Sequence, residues 1–327
     1  MASIKDVAKK VGVSVATVSR VINQSGPVTP QTRQEVLDAI EELGYKPNLF
    51  GKSLRGRETK IIMVMLSSLA NTFCSSVIRA IDKAAGKSGY SIVVCTTDGL
   101  TEKEEHYINF ARNGLFDGLI ILNSSLDAQQ MAVLSATIPV VQCNEFTDTQ
   151  KTPYVSIDNE KAAYDAVQYL ISHGRKRIVF HTVDNNLIST SERLKGYQRA
   201  LADANIPFDE SLVVYGNYGY RNAIRVFEDY MAEGNEFDGV FAISDRMAAG
   251  AMHAVMGNGM QVPYDVEIIG FDNTDISYTS TPQLSTVAQP HQLLGKHAFE
   301  LLEKVMRKEE TENIILEHRM IFRNSTK

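Results

Sequence analysis

Small hydroxyl side chains and an arginine near the N-terminus share one face of a predicted helix. At a period of 3.6 residues, Thr17, Ser19 and Arg20 fall on one side, and Val18 and Val21 fall on the other. Hydroxyls donate and accept hydrogen bonds, and a guanidinium offers a planar fork of donors. Because this face is small, polar and basic, the helix could enter a DNA major groove and bring its backbone close to the base edges.

Polar side chains also follow several predicted strands further along the chain. These segments are Ser67-Ser68 with Asn71, Asn123-Ser124, Asn144-Glu145, Ser244-Asp245 and Asp272-Asn273. Ligands of open parallel sheets bind beyond the carboxyl ends of the strands, so these side chains could line a cleft. Each segment alone is equally typical of an ordinary cap between a strand and a helix. Their joint placement favours a binding site.

A turn and a first helix precede the basic helix. Val7, Ala8 and Val11 give the first helix one apolar side, and Gly12 can adopt the positive φ that a tight turn after a helix needs. Ser14 is a good N-cap for the second helix, because its hydroxyl can accept from the free backbone amides. The pattern predicts a helix-turn-helix.

A third helix completes a small N-terminal core. Thr29 and Pro30 are typical of an N-cap and a first turn, and Gly44 is typical of a helix end. The apolar stripe predicted for this helix consists of Val36, Leu37, Ile40 and Leu43. An ordinary helical hairpin would show the same pattern, so the helices alone leave both interpretations open.

Positive charge is concentrated at the same end of the chain. Residues 1–60 contain ten Lys or Arg and six Asp or Glu, a net charge of +4, whereas the remainder contains 23 and 33, a net charge of −10. A basic end on an acidic body indicates a polyanionic partner bound at that end. The length of 327 residues suggests two or three domains.

The composition favours a cytoplasmic protein without a metal or another cofactor. The apolar runs are too short to span a bilayer, and the N-terminus lacks the apolar core and cleavage site of a secretory signal. Cys74, Cys95 and Cys143 are odd in number and lack paired or metal-ligand spacing. We therefore expect reduced, mostly buried thiols.

The rest of the chain repeats one unit of strands and helices. The first copy has a strand at 60–67, a helix at about 73–88 and a Phe-Asp-Gly strand at 116–122, and the second has a strand at 177–183, a helix at about 191–204 and a Phe-Asp-Gly strand at 237–243. Such alternation favours parallel sheets with helices on both faces. The predicted body is therefore α/β and consists of two lobes.

The N-terminal segment resembles the headpiece of the lac, galactose and purine repressor family. The shared pattern consists of Asp6-Val7-Ala8, Gly12-Val13-Ser14, Thr17-Val18-Ser19-Arg20-Val21 and Asn23, followed by the hinge signature Tyr45-Lys46-Pro47-Asn48 and Ser53-Leu54. The resemblance implies that Asn48 caps a hinge helix and that Leu54 wedges into the minor groove at the centre of the operator. The DNA-binding residues that it implies are Ser14, Val15, Ala16, Thr17, Ser19, Arg20, Asn23, Thr29, Asn48, Leu54 and Arg55.

From about Lys60 onward the chain resembles the periplasmic-binding-protein-like body of the same family. The effector-binding residues that this resemblance implies are Asn71, Phe73, Asn123, Asn144, Arg193, Tyr218, Ser244, Asp245, Asp272 and Gln289. Asn144 stands where the family often has an Asp, and Ser244 replaces the commoner Asn before Asp245. The segment around Asp272 matches closely, and Gln289 precedes the proline of the last crossover between lobes.

The chemistry of the implied site suits a sugar. The carboxylate of Asp272 can accept from two adjacent hydroxyls, and Arg193 can donate to ring and hydroxyl oxygens. Phe73 or Tyr218 can cover an apolar sugar face.

Two other branches of the family are alternatives. The purine-responsive branch carries Arg-x-Thr and Asp-Trp where this chain has residues 187–189 and Asn144-Glu145. The catabolite-control branch, which binds a phosphorylated phosphocarrier protein, has a Tyr-Asp and an Arg where this chain has Gln292-Leu293 and Glu300. Replacing that Arg with Glu would repel a phosphate. The segments that resemble the catabolite-control branch are 271–274, 282–287 and 325–327.

An enzyme built on the same α/β sheet is the alternative from a different class. The sequence has no Gly-x-Ser-x-Gly elbow, Walker loop, Gly-x-Gly-x-x-Gly after a strand or His-Glu-x-x-His. Gly257-Asn258-Gly259, the nearest glycine-rich segment, is typical of a helix C-terminus, and the seven histidines lack metal-ligand spacing. We predict a binding protein.

The predicted organisation is a helix-turn-helix headpiece, a hinge and a two-lobe body. The headpiece covers 1–46, the hinge 47–59 and the body 60–327, with lobe one at about 60–159 and 290–321 and lobe two at about 160–289 and 322–327. One recognition helix covers only a half-site, so we expect a homodimer on a near-palindromic operator. The predicted function is transcriptional regulation, most simply repression, controlled by a small effector that is a sugar or a sugar phosphate.

Overall fold

The computed structural model describes residues 2–22, 25–45, 58–147, 149 and 151–327. The chain divides into two compact units, residues 1–59 and residues 60–327. None of the helices in the described ranges is long and apolar enough to cross a membrane.

In the described part of the first unit, three helices pack around one small apolar core. They are α1 (Ile4–Val11), α2 (Val15–Ile22) and α3 (Pro30–Glu42). Their buried side chains are Val7, Ala8, Val18, Val21, Val36 and Ala39. The prediction for Leu37 was wrong, because this side chain lies about 100° around α3 from Val36 and is 44% exposed. Thr29 caps α3 through its hydroxyl, which accepts from the N–H of Thr32 at 3.2 Å.

Local hydrogen bonds set the ends of the first two helices. Ser3 and Asp6 form a capping box at the start of α1, and hydrogen bonding to Ser3 lowers the pKa of the Asp6 carboxyl. Gly12 ends α1 at φ 76, the left-handed conformation that favours glycine. The Ser14 hydroxyl accepts from the N–H of Thr17 at 3.1 Å, as its predicted role as an N-cap requires.

A six-stranded parallel sheet forms the first lobe of the second unit. Its elements are β1 (Ile61–Leu66), α4 (Thr72–Lys87), β2 (Ser91–Thr96), α5 (Thr101–Ala111), β3 (Gly118–Ile121), α6 (Ala128–Ser135), β4 (Val140–Cys143) and β5 (Tyr154–Ile157), with α12 (His291–Met306) and β11 (Ile314–Leu316) returning from the end of the chain. The strand order is β11-β5-β4-β3-β1-β2. Helix α12 packs closely on α4, because a Cβ on Gly295 would lie 2.4 Å from the carbonyl oxygen of Val77.

A second six-stranded sheet forms the other lobe. Its elements are α7 (Asn159–Ser172), β6 (Ile178–Val183), α8 (Ile188–Asp203), β7 (Val213–Gly216), α9 (Tyr220–Ala232), β8 (Gly239–Ala242), α10 (Asp245–Gly257), β9 (Glu267–Asp272), α11 (Asp275–Thr279), β10 (Ser285–Ala288) and β12 (Arg319–Ile321), with a short 3₁₀ turn at Glu210–Leu212. The strand order is β12-β10-β9-β8-β6-β7, in which only the pair β10 and β12 is antiparallel.

Two boundaries differ from the predictions. Residues 319–321 belong to the second sheet and not to the first lobe, because β12 pairs with β10. Helix α8 begins at Ile188, three residues before the predicted start, so its first turn carries Ser189.

The two sheets repeat one topology. The order β2-β1-β3-β4-β5 in the first lobe returns as β7-β6-β8-β9-β10 in the second. In each sheet the order reverses beside the first strand of the lobe, and ligands of such folds bind beyond the carboxyl ends at that reversal. The structure therefore confirms the predicted α/β architecture with two lobes.

Candidate effector and DNA-binding sites

A cavity of about 170 Å³ lies where the carboxyl ends of the two sheets meet. All ten residues that the sequence implied for effector binding line this cavity: Asn71, Phe73, Asn123, Asn144, Arg193, Tyr218, Ser244, Asp245, Asp272 and Gln289. Further polar lining residues, which are not among those ten, are Ser67, Ser68, Thr72, Glu145, Ser189, Arg246 and Thr274. Both lobes contribute, so neither lobe alone forms the cavity.

Arg193 is held from three sides. Its Nε donates to the Oδ1 of Asn159 at 3.0 Å, and its Nη1 donates to the carbonyl oxygen of Ile243 at 2.7 Å. The guanidinium carbon lies 3.6 Å from the centroid of the Phe271 ring, in a cation–π stack. Within the described residues, Nη2 makes no further hydrogen bond, so it is the donor that a ligand could use.

Asp272 ends strand β9 with its backbone at φ 104, a positive value that is uncommon outside glycine and that concentrates at functional sites. Gln289 Nε2 donates to its Oδ1 at 2.7 Å, and His291 Nε2 donates to its backbone oxygen at 2.6 Å. Burial raises the pKa of the Asp272 carboxyl to about 6, although the charge of Arg193 opposes the shift. Asp272 is therefore a buried carboxyl beside a fixed cation.

Both carboxyl oxygens of Asp245 accept hydrogen bonds from neighbouring segments of the second lobe. One of its oxygens accepts from both the N–H and the hydroxyl of Thr274, and the other accepts from the hydroxyl of Thr286. Burial raises the pKa of this carboxyl to about 7, and the nearby charge of Asp272 adds to the shift. Ser244 accepts from a backbone amide as the N-cap of α10. These side chains line the cavity and also connect the start of α10 to neighbouring strands.

Glu145 joins the two lobes; the sequence placed it in a strand-end segment at the cleft but not among the implied effector-binding residues. Its carboxylate accepts from the N–H of Ser189 at 3.1 Å and from the hydroxyl of Ser189 at 2.5 Å, while Asn144 Nδ2 donates to it at 3.2 Å. Burial raises the pKa of Glu145. A second link runs from Arg246 Nη1 to the carbonyl oxygen of Ala70 at 3.2 Å. The signal for Glu145 was its place directly after Asn144 at a strand end.

Three predicted residues of the first lobe also hold its loops. Asn71 caps α4 by accepting from the N–H of Phe73 at 3.0 Å. Asn123 accepts from the N–H of Ser67 at 2.6 Å and donates to its hydroxyl at 2.8 Å, which joins the ends of β1 and β3. The Phe73 ring is buried and packs edge-on against His291, with centroids 5.0 Å apart.

Tyr218 is the more exposed aromatic ring at the cavity. It is 39% exposed, and its hydroxyl accepts from Asn185 Nδ2 at 3.3 Å. Cys74 lies at the cavity too, where burial raises the pKa of its thiol to about 12. Together with Cys95 and Cys143 it is free and buried, which confirms the prediction for the cysteines.

The predicted DNA-binding face of the first unit is accessible on α2. Ala16 and Arg20 are exposed, whereas Val18 and Val21 on the opposite side are buried. The other predicted contacts in the described ranges, Ser14, Val15, Thr17, Ser19 and Thr29, are exposed or half-buried. The predicted contacts Asn23, Asn48, Leu54 and Arg55 lie outside the described residues.

Family models match both units of the chain. Residues 3–48 match the bacterial regulatory proteins of the lacI family, and residues 59–324 match the model described as periplasmic binding proteins and sugar binding domain of the LacI family. The chain belongs to the LacI family. It is accordingly a DNA-binding transcriptional regulator with an effector-binding body.

LacI-family relatives match along the whole chain. Catabolite control protein A of Priestia megaterium is 38% identical over 99% of both chains, and the HTH-type transcriptional repressor PurR of Vibrio parahaemolyticus is 32% identical over 100% of this chain and 99% of its own. The Lac repressor dimer bound to operator and the anti-inducer ONPF is 27% identical over 99% of both chains, with a TM-score of 0.85. The complex of the regulator CelR with cellobiose is 29% identical, covers 99% of this chain and 100% of its own, and has a TM-score of 0.75.

Proposed function

We propose that this LacI-family regulator binds a near-palindromic operator as a homodimer and that a sugar in the cavity controls its operator affinity. The observation that carries the proposal is the cavity itself, to which both lobes contribute. A ligand that contacts two lobes binds best at one arrangement of them, so its binding energy shifts the equilibrium between arrangements.

The polar groups of the cavity support a sugar as the effector. Asp272 can accept from two neighbouring hydroxyls, and the Nη2 group of Arg193 can donate to a ring or hydroxyl oxygen. The half-exposed ring of Tyr218 can cover an apolar sugar face. Such a small set of converging polar groups around a cavity is typical of sites for small molecules.

The coupling to DNA that we propose passes through the closure of the lobes. Glu145 with Ser189 and Arg246 with Ala70 connect the two lobes, so a ligand that changes closure must rearrange these contacts. In a dimer, the closure of each body would set the spacing of the two hinge segments and hence the fit of both headpieces to the operator. The effector acts by binding and is not converted.

A ligand screen followed by operator titration tests the proposal. Thermal shifts against sugars, sugar phosphates and purines identify ligands, since a specific ligand raises apparent stability by mass action. A sugar that raises the melting temperature should also change the affinity for a near-palindromic duplex, and should be recovered unchanged. A purine that acts while every sugar fails would contradict the sugar effector, and tight binding of a monomer to one half-site would contradict the dimer.

Catabolite control by a phosphorylated protein is the second candidate, because the relative at 38% identity is a catabolite control protein. Glu300 stands where that branch carries an Arg, and its carboxylate contacts His297 at 2.9 Å and Lys296 at 3.6 Å. A glutamate at this position opposes a phosphate. Operator titration with and without a serine-phosphorylated phosphocarrier protein separates the candidates, since only the second predicts tighter operator binding.

A further inference from the structure

Carboxyl groups outnumber guanidinium groups around the cavity. Its lining includes the carboxyl groups of Glu145, Asp245 and Asp272, compared with the guanidinium groups of Arg193 and Arg246. Arg246 already donates to a carbonyl oxygen of the other lobe, and two edges of the Arg193 fork are used. The cavity therefore presents an incoming ligand with more carboxyl groups than guanidinium groups.

Two buried amide oxygens add to this excess. Asn144 Oδ1 and Gln289 Oε1 are inaccessible to solvent and have no hydrogen-bond partner among the described residues. The orientation of both amides is defined, because Asn144 Nδ2 donates to Glu145 and Gln289 Nε2 donates to Asp272. Gln289 is only 6% exposed. An unpartnered buried acceptor costs free energy, so a rearrangement of the cavity that lets a donor reach either oxygen is favoured.

The helix N-termini at the cavity already have protein acceptors. Anions often bind at helix N-termini, where backbone amides are free. Here a first-turn amide of α4 donates to Asn71, one of α8 donates to Glu145, and one of α10 donates to Ser244. The carboxyl group of Glu145 accepts from the amide at the start of α8, so it occupies the place that a ligand phosphate would take.

We infer that the cavity selects an unphosphorylated sugar and that Glu145 and Asp272 exclude the phosphorylated form. This inference rests on the proposed function, because it narrows the class of effector for the same site. Hydroxyl groups can donate to the free oxygen of Asp272 while accepting from Arg193. A sugar phosphate carries between one and two negative charges and only acceptor oxygens on its phosphate, so it would meet the carboxyl groups of Glu145 and Asp272 without offering them donors.

Matched pairs of probes test the inference on the full chain. Isothermal titration would compare glucose with glucose 6-phosphate, fructose with fructose 6-phosphate, and cellobiose with cellobiose 6′-phosphate. For whichever pair binds, we expect the affinity for the neutral sugar to exceed the affinity for its phosphate by at least about tenfold. A phosphorylated member that binds as tightly as its neutral counterpart would overturn the inference and leave the sugar effector intact. If no member of any pair binds, the proposed sugar effector fails and the inference fails with it.

Two variants separate the charge of Glu145 from its contact between lobes. Glu145→Gln keeps the shape and removes the charge, so the preference for the neutral sugar should fall several-fold. Ser189→Ala removes the hydroxyl that donates to Glu145 and leaves the charge in place, so the preference should persist even where overall affinity changes. Loss of the preference in Ser189→Ala, or its full retention in Glu145→Gln, would show that the carboxylate charge does not set this selectivity.

Discussion

The guanidinium of Arg193 stacks on the ring of Phe271 at 3.6 Å while its Nε and Nη1 donate to Asn159 and Ile243. Two hydrogen bonds and one stacking contact therefore fix the plane of the guanidinium group and leave its Nη2 group for a ligand in the cavity. A side chain held this way loses little further freedom when it binds a ligand, which favours affinity.

Arg193→Lys should weaken binding of the effector by about tenfold, because an ammonium on a flexible stem cannot replace the planar fork or the stack. Arg199→Lys is the matched control on the same helix. Arg199 also lies over an aromatic ring, that of Tyr164 at 4.4 Å, but it is exposed and pairs with Glu160 away from the cavity. Titration calorimetry of both variants with the sugar found by screening is the measurement, and equal losses in both would contradict the prediction.

Asp272→Ala should lose the response to the effector and keep operator binding in its absence, because the headpiece is unchanged. Removing a charged acceptor costs roughly 1.5–3 kcal/mol, or about tenfold and upward in affinity. Asp275→Ala, which removes an exposed carboxylate three residues further on, is the control. Operator affinity is measured across a titration of the effector. A variant that responds at the wild-type midpoint would show that Asp272 only ends its strand.

Arg20→Ala should weaken operator binding by about 1–3 kcal/mol if the side chain contacts a base, and should relax specificity at that position. If the contact is to a phosphate, the loss of affinity should be uniform across operator sequences. The slope of log affinity against log salt concentration should then decrease by about one. Arg225→Ala removes the same charge from an exposed site on the body, so it separates the local contact from the loss of net charge. Anisotropy titrations at several salt concentrations distinguish these outcomes, and equal effects of both substitutions would argue against Arg20 at the DNA.

Gly12→Ala should destabilise the headpiece by about 1 kcal/mol or more, because Gly12 sits at φ 76 and a Cβ is strained there. Gly86→Ala is the control within α4, where a Cβ would meet no atom within 4 Å and no positive φ is needed. We expect the control to be neutral or stabilising. The measurements are the unfolding of the headpiece and the operator affinity close to the melting temperature. Similar behaviour of the two variants would contradict a conformational role for Gly12.

The buried carboxyl of Asp245 predicts a dependence of stability on pH. Its pKa is about 7 in the folded chain against an ordinary 3.8, so between these values the folded state holds a proton that the unfolded state has released. The free energy of unfolding therefore falls as pH rises through this window, and the contribution is lost above about pH 7. Asp245→Asn should flatten the decline in melting temperature between pH 5 and pH 8, although Asp272 adds a smaller slope of the same sign. Parallel curves of melting temperature against pH for the wild type and Asp245→Asn would contradict the prediction.

Most of the local framework could be predicted from the sequence. The turn at Gly12, the caps at Ser14 and Thr29 and the buried face of α2 depend on side chains within about four residues of each other, so helical periodicity is enough to predict them. The placement of polar residues at strand ends was also predictable, because parallel strands present their carboxyl ends at one edge. Asp272 lies in the cavity for that reason.

The tertiary structure decided which of these polar groups are already partnered. Glu145 and Ser189 are 44 positions apart on different lobes, and Asp245 accepts from Thr274 and Thr286 on neighbouring segments. No local period links such residues, because their distance depends on how the sheets and lobes pack. The three-residue strand β12 was likewise too short to show a pattern, and only its pairing with β10 assigns it to the second lobe. The sequence determined the kinds of chemical groups at the cavity, and long-range packing determined which acceptors remain for a ligand.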